Sequence, residues 1–201
     1  MPLDGSKEQH LERLSLGLPY ALVGISHADQ ILLDHLLLRH PQWQNIVEFG
    51  THVGITSMIL GLTCKLRGGR FWTFNNHDDR LPQVKEAWLD NMTHIVADLL
   101  PVGGKADRIA CATIQSAGPC LVIFDNGDKA EEIRRYASSV PVGSAIAVHD
   151  WRDELQNGEV EWNDVKDILG TSQWRDLMLD ERRQWKSGFR CWVRVQGWDE
   201  I

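Results

Sequence analysis

Side chains that can bind a metal ion or transfer a proton follow two short apolar runs of the sequence. Asp125 comes directly after "CLVIF", and His149 and Asp150 come directly after "AIAV". If these runs form neighbouring parallel strands, their carboxyl ends meet at one edge of a sheet and bring the three side chains together. Carboxylates suit Mg²⁺, whereas imidazole suits Mn²⁺, Fe²⁺ or Zn²⁺ better. The pattern therefore predicts a divalent-metal site at Asp125, His149 and Asp150, or a general base at His149.

Two more candidates for acid–base chemistry stand close to Asp125 in the sequence. Asp128 and Lys129 can each act as a general base, although a catalytic lysine needs a pKa that burial has lowered. Ordinary structural roles compete with these functions. Asp125 can cap the next helix, "HDW" can form a simple turn, and Lys129 can face solvent.

The stretch "NIVEFGTHVGITS", residues 45–57, has the pattern of a buried strand, a turn and the start of a helix. Gly50 and Gly54 permit a sharp turn and a close ligand approach. Thr56 and Ser57 begin a helix whose free N–H groups face the ligand. Glu48 lies among apolar residues, where a carboxylate is costly to bury without a cation or donors. A cationic ligand group would satisfy it, and so would a helix N-terminus or an arginine of the protein.

The same turn differs from a dinucleotide-binding turn. That turn has the form G-x-G-x-x-G, whose second glycine admits the diphosphate. Here the spacing is E-x-G-x-x-x-G from Glu48 to Gly54, and Thr51 and His52 stand where the close approach is needed. The sequence therefore disfavours NAD and FAD, and an oxidoreductase that uses either is the weaker alternative.

Apolar runs alternate with amphipathic segments through the middle of the chain. This alternation is typical of a doubly wound α/β fold, in which helices cover both faces of a mostly parallel sheet. The residues 131–135, "EEIRR", predict ion pairs on an exposed helix surface. The predicted elements are strand 45–50, helix 56–66, strand 70–75, helix 83–100, strand 107–113, strand 120–125, helix 130–140 and strand 144–150.

The ends of the chain have a different pattern. Leucines at helical spacing predict two N-terminal helices within residues 7–40. A helix near 161–169 precedes the strands "WRDLMLD" and "RCWVRVQ", which we expect to form an antiparallel pair at one edge of the sheet. Neither a repeat nor a low-complexity linker divides the chain, so we predict a single domain.

The composition favours some classes of binding partner and argues against others. A net charge of −7 over 201 residues argues against nucleic acid or an anionic membrane, and we expect a small-molecule partner. The N-terminus lacks the pattern of a signal peptide, and we expect a cytoplasmic protein. The four cysteines lie far apart and are predicted to be reduced thiols. The nine tryptophans are predicted to pack in the core or at its rim, with Trp151 as a candidate substrate-lining exception.

The turn from Glu48 to Gly54, together with the strand ends that follow it, resembles the class I S-adenosylmethionine-dependent methyltransferases over residues 45–151. The C-terminal strand pair is similar to the ending of that fold, which implies a seven-stranded Rossmann-like sheet. The region from Cys120 to Trp151 resembles the metal-dependent O-methyltransferases of catechols and natural-product sugars, and the cephalosporin-hydroxylase-like branch. The resemblance implies S-adenosylmethionine as cofactor, Mg²⁺ or another divalent metal, and a small hydroxylated acceptor.

The resemblance also implies where the cofactor binds. Its ribose would lie against Asn75, where the family usually has a carboxylate, and Asp78 or Asp79 is the substitute. Its adenine would lie against "ACATIQS", which contains Thr113. The implied cofactor-binding residues are Glu48, Gly50, Thr51, His52, Gly54, Thr56, Asn75, Thr113 and Asp125, and the implied catalytic residues are Asp128, Lys129 and His149.

The resemblance divides the domain into a helical lid (1–42), a cofactor-binding core (43–151) and an acceptor-side helix with the antiparallel strands (152–201). The lid and the segment that follows Trp151 would close over the acceptor. The alternative function is a non-catalytic binding or assembly module that lost the cofactor through the changes at Asn75 and Ala112. The sequence identifies neither the acceptor nor the oligomeric state, and a homodimer is compatible with it.

Overall fold

A seven-stranded sheet forms the framework of the computed structural model, which describes residues 27–99, 103–151, 162–177 and 188–196. Its strands are β1 (Asn45–Phe49), β2 (Phe71–Asn75), β3 (Met92–Val96), β4 (Cys120–Phe124), β5 (Ala145–Val148), β6 (Trp174–Leu177) and β7 (Arg190–Arg194). The helices in the described ranges are α1 (His27–Arg39), α2 (Ile55–Leu66), α3 (Pro82–Glu86), α4 (Lys105–Ser116), α5 (Lys129–Tyr136) and α6 (Trp162–Leu169). A short 3₁₀ turn, Ala137–Ser139, follows α5. The strand order is β3-β2-β1-β4-β5-β7-β6, which confirms the predicted α/β class.

The order of the strands reverses at β1, which pairs in parallel with β2 on one side and with β4 on the other. The chain runs outward from β1 to β3, crosses back and continues from β4 to β5. Phe49 of β1 pairs with Phe124 of β4, and the Asp125 N–H donates to the Phe49 carbonyl at 2.8 Å. The carboxyl ends of β1 and β4 therefore flank the switch point, which is where open α/β sheets bind ligands.

The strands contribute to an apolar layer on each face of the sheet. On β1, Ile46 belongs to the layer that includes α1 and α2, whereas Val47 and Phe49 belong to the opposite layer with Tyr136 of α5. The ring of Phe49 stacks on Phe74 and Tyr136, with centroids 5.2 and 4.9 Å away. Because both faces are covered, the central strands β1, β4 and β5 are buried on both sides, which explains their largely apolar sequences.

The C-terminal strands confirm the predicted antiparallel pair. β7 is antiparallel to both β5 and β6, so β7 lies between them and β6 forms the edge. Arg190, the first residue of β7, pairs with Val148, the last residue of β5. The start of β7 therefore lies at the same edge of the sheet as the ligand site.

The prediction for residues 83–113 is wrong. α3 ends at Glu86, and β3 occupies Met92–Val96 within the predicted helix. The predicted strand at 107–113 is part of α4. A turn at Asp90 and Asn91 separates α3 from β3, and both residue types favour turns. In α4 the buried residues Ala110 and Ile114 are four positions apart, which places them on one face of a helix. The buried residues therefore have the spacing of a helix, and the strand predicted from the apolar residues does not form.

The predictions for the N-terminal helices, for Trp151 and for the cysteines have different outcomes. α1 confirms the second N-terminal helix, whereas the first helix and residues 152–161 lie outside the described residues. Trp151, the candidate exception, packs in the core and is 2% exposed. The four cysteines are free thiols. In the described ranges, the helices are too short or too polar to cross a membrane.

Candidate active site

The turn after β1 contains two glycines with positive φ, 109° at Gly50 and 85° at Gly54. A Cβ at Gly50 would collide with Asp125, since it would lie 2.7 Å from the carbonyl carbon of that residue. A Cβ at Gly54 would lie 2.8 Å from Cγ1 of Val84. Neighbouring protein atoms therefore require both glycines. At Gly50 this close approach brings the loop after β1 against the backbone of the loop after β4.

The residues between and after the glycines lie at the same edge. Thr51 is buried, and its hydroxyl oxygen lies 2.6 Å from that of Thr73 on β2. His52 is exposed and has a φ of 45°, which is uncommon outside glycine. Gly54 is the N-cap of α2 and has no side chain to cap it, and Thr56 lies in the first turn. The N–H groups of that turn thus point toward the carboxyl edge of the sheet.

Glu48 lies beneath this turn and is 1% exposed. It pairs across the sheet with Thr73, whose hydroxyl donates to Glu48 Oε2 at 2.6 Å. The Ser57 hydroxyl of α2 donates to the same oxygen at 2.5 Å. Burial raises the pKa of Glu48 to about 7, against the opposing effect of these two hydrogen bonds. The carboxyl group therefore joins α2 to β2 through hydroxyl donors of the protein, rather than through the helix N-terminus or arginine that the sequence offered as structural alternatives.

Three predicted side chains converge where β4 and β5 end, as the sequence predicts: Asp125, His149 and Asp150. We call these three residues the acidic cluster. Their ligating atoms all lie within 4.8 Å of one another. Nδ1 of His149 is hydrogen-bonded to Asp125 Oδ1 at 2.8 Å and lies 3.5 Å from Asp150 Oδ1. On the opposite side of the ring, Nε2 lies 3.4 Å from Oδ2 of Asp29 in α1. Carboxylates from α1 and from the ends of β4 and β5 thus surround one imidazole.

The protonation of His149 depends on the carboxylates around it. Burial lowers the pKa of His149, but the hydrogen bonds to Asp125 and Asp29 outweigh burial and raise it to about 10. The surrounding carboxylates therefore favour the protonated form of the ring. Asp29 is 2% exposed, and its second oxygen accepts the Gly188 N–H at 2.7 Å. Asp29 thereby links α1 to the end of β5 and to Gly188, which lies two residues before the start of β7.

Lys129 and Asp128, the other predicted bases, have different surroundings. Lys129 is 4% exposed, and its Nζ lies 3.4 Å from Asp150 Oδ2, so the solvent-facing alternative is wrong. Asp128 is the N-cap of α5, and its carboxylate accepts the Glu131 N–H at 3.2 Å. The helix is therefore capped by Asp128, while Asp125 faces the imidazole of the acidic cluster.

Asn75, the candidate ribose contact, ends β2 at the same edge and is 9% exposed. Its side-chain amide donates to the His77 carbonyl at 2.9 Å, and its oxygen is the group that can accept a ligand hydroxyl. Asp78, the candidate substitute, has its pKa lowered by Arg80 and Lys85, which lie 2.7 and 3.1 Å away. The charge of Asp78 is thus already paired, and Asn75 remains the better ribose candidate.

A cleft of about 220 Å³ lies between the ends of β2, β3 and β4 and the first turns of α5. Asn76 and Leu99 line one side of it, and the loop after β4 and α5 line the other. Arg135 joins the two sides, because its guanidinium donates to the Leu99 carbonyl at 2.6 Å and pairs with Glu131 at 2.8 Å. This pair confirms one ion pair of "EEIRR". Glu132, however, is buried rather than exposed.

Thr113 is not brought to this site. It lies near the end of α4, which returns to the amino ends of the strands, where the Asn45 side chain donates to the Ala117 carbonyl at 2.6 Å. The segment that follows β3, which includes Leu99, occupies the place expected for "ACATIQS". Sequence reasoning also missed Asp29, Thr73 and Glu132, and it placed Ser57 at the start of the helix without its contact to Glu48. For Thr73 a signal existed, since it lies two residues before the end of β2 and can face the same side as Glu48.

Solved structures share this architecture. An apo structure of CmcI has a TM-score of 0.60 at 12% identity, covering 85% of this chain and 72% of the other. CmcI with Mg and SAM has a TM-score of 0.60 at 16% identity, with the same coverage. A candidate caffeoyl-CoA O-methyltransferase from Staphylococcus aureus has a TM-score of 0.58 at 11% identity, covering 95% and 100%. No protein-family model and no curated protein matches the sequence.

These likenesses establish the fold. The chain has the Rossmann-like fold of the class I S-adenosylmethionine-dependent methyltransferases, with the parallel strands, the reversal at β1 and the antiparallel C-terminal pair. At identities of 11–16%, the activities of those proteins are not evidence for the activity of this chain. What this chain does must therefore be argued from its own site.

Proposed function

We propose that the protein is an S-adenosylmethionine-dependent methyltransferase that transfers a methyl group to a hydroxyl of a small acceptor. The observation that carries the proposal is the meeting of the glycine turn after β1 with the acidic cluster after β4 and β5. Gly50 brings the turn into backbone contact with Asp125, so a ligand in the turn lies beside the cluster. Methyl transfer needs this proximity between the donor and the groups that activate the acceptor.

The cofactor would extend along the carboxyl ends of β1, β2 and β4. Its methionine carboxylate would bind the first turn of α2, since helix N-termini favour anions. Its ribose would contact Asn75, and its adenine would enter the cleft that begins at Asn76. Glu48, which lies beneath the turn, would support the cofactor site by holding α2 and β2 in place through Ser57 and Thr73. Direct contacts from Thr51, His52 and Thr56 remain predictions of the sequence.

The acidic cluster fits a divalent metal ion by its donor set. Asp125 and Asp150 supply carboxylate oxygens close enough to share one ion, and such ligands match Mg²⁺. His149 is already hydrogen-bonded to Asp125 and contacts Asp29, so we assign the ion to the two aspartates and a supporting position to the histidine. When bound, the ion would lower the pKa of an acceptor hydroxyl in contact with it.

The reaction would break the sulfur–methyl bond, form an oxygen–methyl bond and release the hydroxyl proton. His149 and Lys129 are the groups beside the cluster that can take this proton once they are neutral. Their charge is now stabilised by Asp125 and Asp150. If these carboxylates held another cation, they would stabilise the protonated form of His149 less, and its pKa would fall toward neutrality. Asp128, which caps α5, is the weaker candidate.

A thermal-unfolding comparison with S-adenosylhomocysteine and NAD⁺ tests this proposal. A ligand that binds only the folded protein raises Tm. We expect S-adenosylhomocysteine to raise Tm and NAD⁺ to leave it unchanged. A rise with NAD⁺ alone would favour an oxidoreductase, and no rise with either ligand would favour a non-catalytic module.

A further inference from the structure

Asp150, one of the two proposed metal ligands, interrupts the extended chain that leaves β5. Its φ is 53°, in the left-handed region that residues other than glycine adopt rarely. This conformation is less favourable than an extended one for a residue with a Cβ, although aspartate tolerates it better than most. It persists only where the surrounding structure holds it in place.

The interruption decides which face of the sheet the next side chain occupies. Side chains of an extended strand alternate between the two faces. In β5, Ala147 belongs to the layer that includes α1 and α2, and Val148 belongs to the opposite layer with α5 and α6. His149 continues the alternation, since its ring packs on Phe189 of the first layer at 4.7 Å. An unbroken strand would place Trp151 on the same face as His149, but Trp151 belongs to the opposite layer.

Trp151 is fixed in that opposite layer by several contacts. It is 2% exposed, and its ring meets Trp192 of β7 edge-on, with centroids 5.0 Å apart. The guanidinium of Arg190 lies over the same ring, 4.7 Å from its centre, and Arg190 Nε donates to Asp176 of β6 at 2.9 Å. The Trp151 N–H also donates to the Gly188 carbonyl at 3.0 Å. The indole therefore fixes the chain at the residue that follows the acidic cluster.

The carboxylate of Asp150 is fixed on the other side of this turn. Its Oδ1 lies 3.5 Å from His149 Nδ1, and one of its oxygens lies within 4.8 Å of a ligating oxygen of Asp125. An extended residue cannot satisfy both positions, because it would return the side chain of Trp151 to the face of His149. The left-handed turn satisfies both, so the burial of the indole and the placement of the carboxylate depend on each other.

We infer that Trp151 is a positioning residue, whose buried indole holds Asp150 in the left-handed turn and thereby presents its carboxylate to a metal ion shared with Asp125. This inference rests on the proposed function, because it takes the two aspartates to bind the ion. Trp151 acts without touching the ion. Without the indole, the turn relaxes toward the extended conformation, and only a fraction of the molecules presents both carboxylates. The apparent affinity for the ion falls in proportion to that fraction.

Isothermal titration of the metal-free protein with Mn²⁺ tests this inference. Trp151→Leu should bind Mn²⁺ about tenfold more weakly than the wild type, as expected when roughly one molecule in ten presents both carboxylates. Trp151→Phe should stay within about twofold of the wild type, because a phenyl ring still packs against Trp192 and Arg190.

Trp174→Leu is the matched control. Trp174 is a buried tryptophan of the same layer, but it pairs with Arg194 at the end of β7 that lies away from the acidic cluster. The substitution removes a similar amount of core without touching the turn, so the variant should bind Mn²⁺ as the wild type does.

A double-mutant cycle shows whether Trp151 acts through Asp150. Asp150→Gly removes the carboxylate and adopts the left-handed conformation without strain. In this background Trp151→Leu should change the remaining Mn²⁺ affinity by less than about twofold, because the group that it positions is gone. A loss as large as in the wild-type background would contradict the inference.

The outcomes separate this inference from the proposed function. If Trp151→Leu binds Mn²⁺ as tightly as the wild type, or if Trp174→Leu loses as much affinity, the role of Trp151 is wrong and the ion assignment stands. If the wild type does not bind Mn²⁺, the ion assignment fails and this inference fails with it. If Trp151→Leu does not fold, Arg190→Met decides the question. It removes the cation from the indole face and should weaken Mn²⁺ binding by about threefold or more, and unchanged affinity would overturn the inference.

Discussion

Replacing Glu48 with glutamine should change how the stability of the protein depends on pH. The folded-state pKa of Glu48 is raised from 4.5 to about 7, mainly by burial. The folded state therefore holds this proton more tightly than the unfolded chain does. Stability from this group is fully present below pH 4.5 and is lost as the pH rises to about 7. At about 1.4 kcal/mol for each pH unit, the wild type loses about 3 kcal/mol across this window.

Glu48→Gln removes this titration but keeps an oxygen that can accept from Ser57 and Thr73. Urea unfolding of both proteins at several pH values between 4 and 8 measures the effect. The difference in the free energy of unfolding should move by about 3 kcal/mol in favour of the variant as the pH rises. Other titrating groups contribute equally to both proteins and cancel. Glu86→Gln, at an exposed glutamate, should show no such change. Parallel pH profiles for the wild type and Glu48→Gln would refute the reasoning.

Three further predictions concern the turn and the cluster. Gly50→Ala should destabilise the protein by at least about 2 kcal/mol in urea unfolding, because its φ is unfavourable for alanine and its Cβ meets the Asp125 backbone. Asp125→Asn combined with Asp150→Asn should abolish Mn²⁺ binding in calorimetry, and metal-dependent methyl transfer with it. Asp29→Asn should lower the pKa of His149 in an NMR titration of the metal-free protein, since one carboxylate is lost.

Controls make these predictions specific. Gly68 has a φ of 74°, and a Cβ there would meet no atom within 4 Å, so Gly68→Ala isolates the backbone strain. An equal loss in both glycine variants would contradict the proposed contact with Asp125. Retained Mn²⁺ affinity in the double variant would place the ion elsewhere. An unchanged His149 pKa in Asp29→Asn would show that Asp29 does not stabilise the imidazolium.

The sheet and the edge that carries the site could be predicted because their signals are local. The apolar run around Glu48 and the runs that precede Asp125 and His149 identify strands buried on both faces, and parallel strands place their ends together. The region around β3 could not be predicted in the same way. Its strand is short and partly exposed, and α4 has apolar residues whose spacing also fits a strand. In short apolar segments of this kind, the spacing of the apolar residues fits both a helix and a strand.

The partners of the buried acids could not be predicted, because they come from distant parts of the chain. Glu48 meets Thr73, 25 residues away, and His149 meets Asp29, 120 residues away. Such pairs depend on how helices pack on the sheet, which one sequence does not specify. The burial of Glu132 was missed for a related reason. Its position in a charged run suggested a surface, whereas the cleft between α5 and the segment after β3 encloses it.

Isothermal titration with S-adenosylmethionine and S-adenosylhomocysteine, with and without Mg²⁺, tests the central claim most directly. We expect binding of both ligands with a dissociation constant in the micromolar range, at one site per chain. Binding should weaken strongly in Gly50→Ala, which displaces the turn from Asp125. The absence of binding under both conditions, in a protein that is folded, would contradict the assignment and would leave a methyltransferase fold used for another purpose.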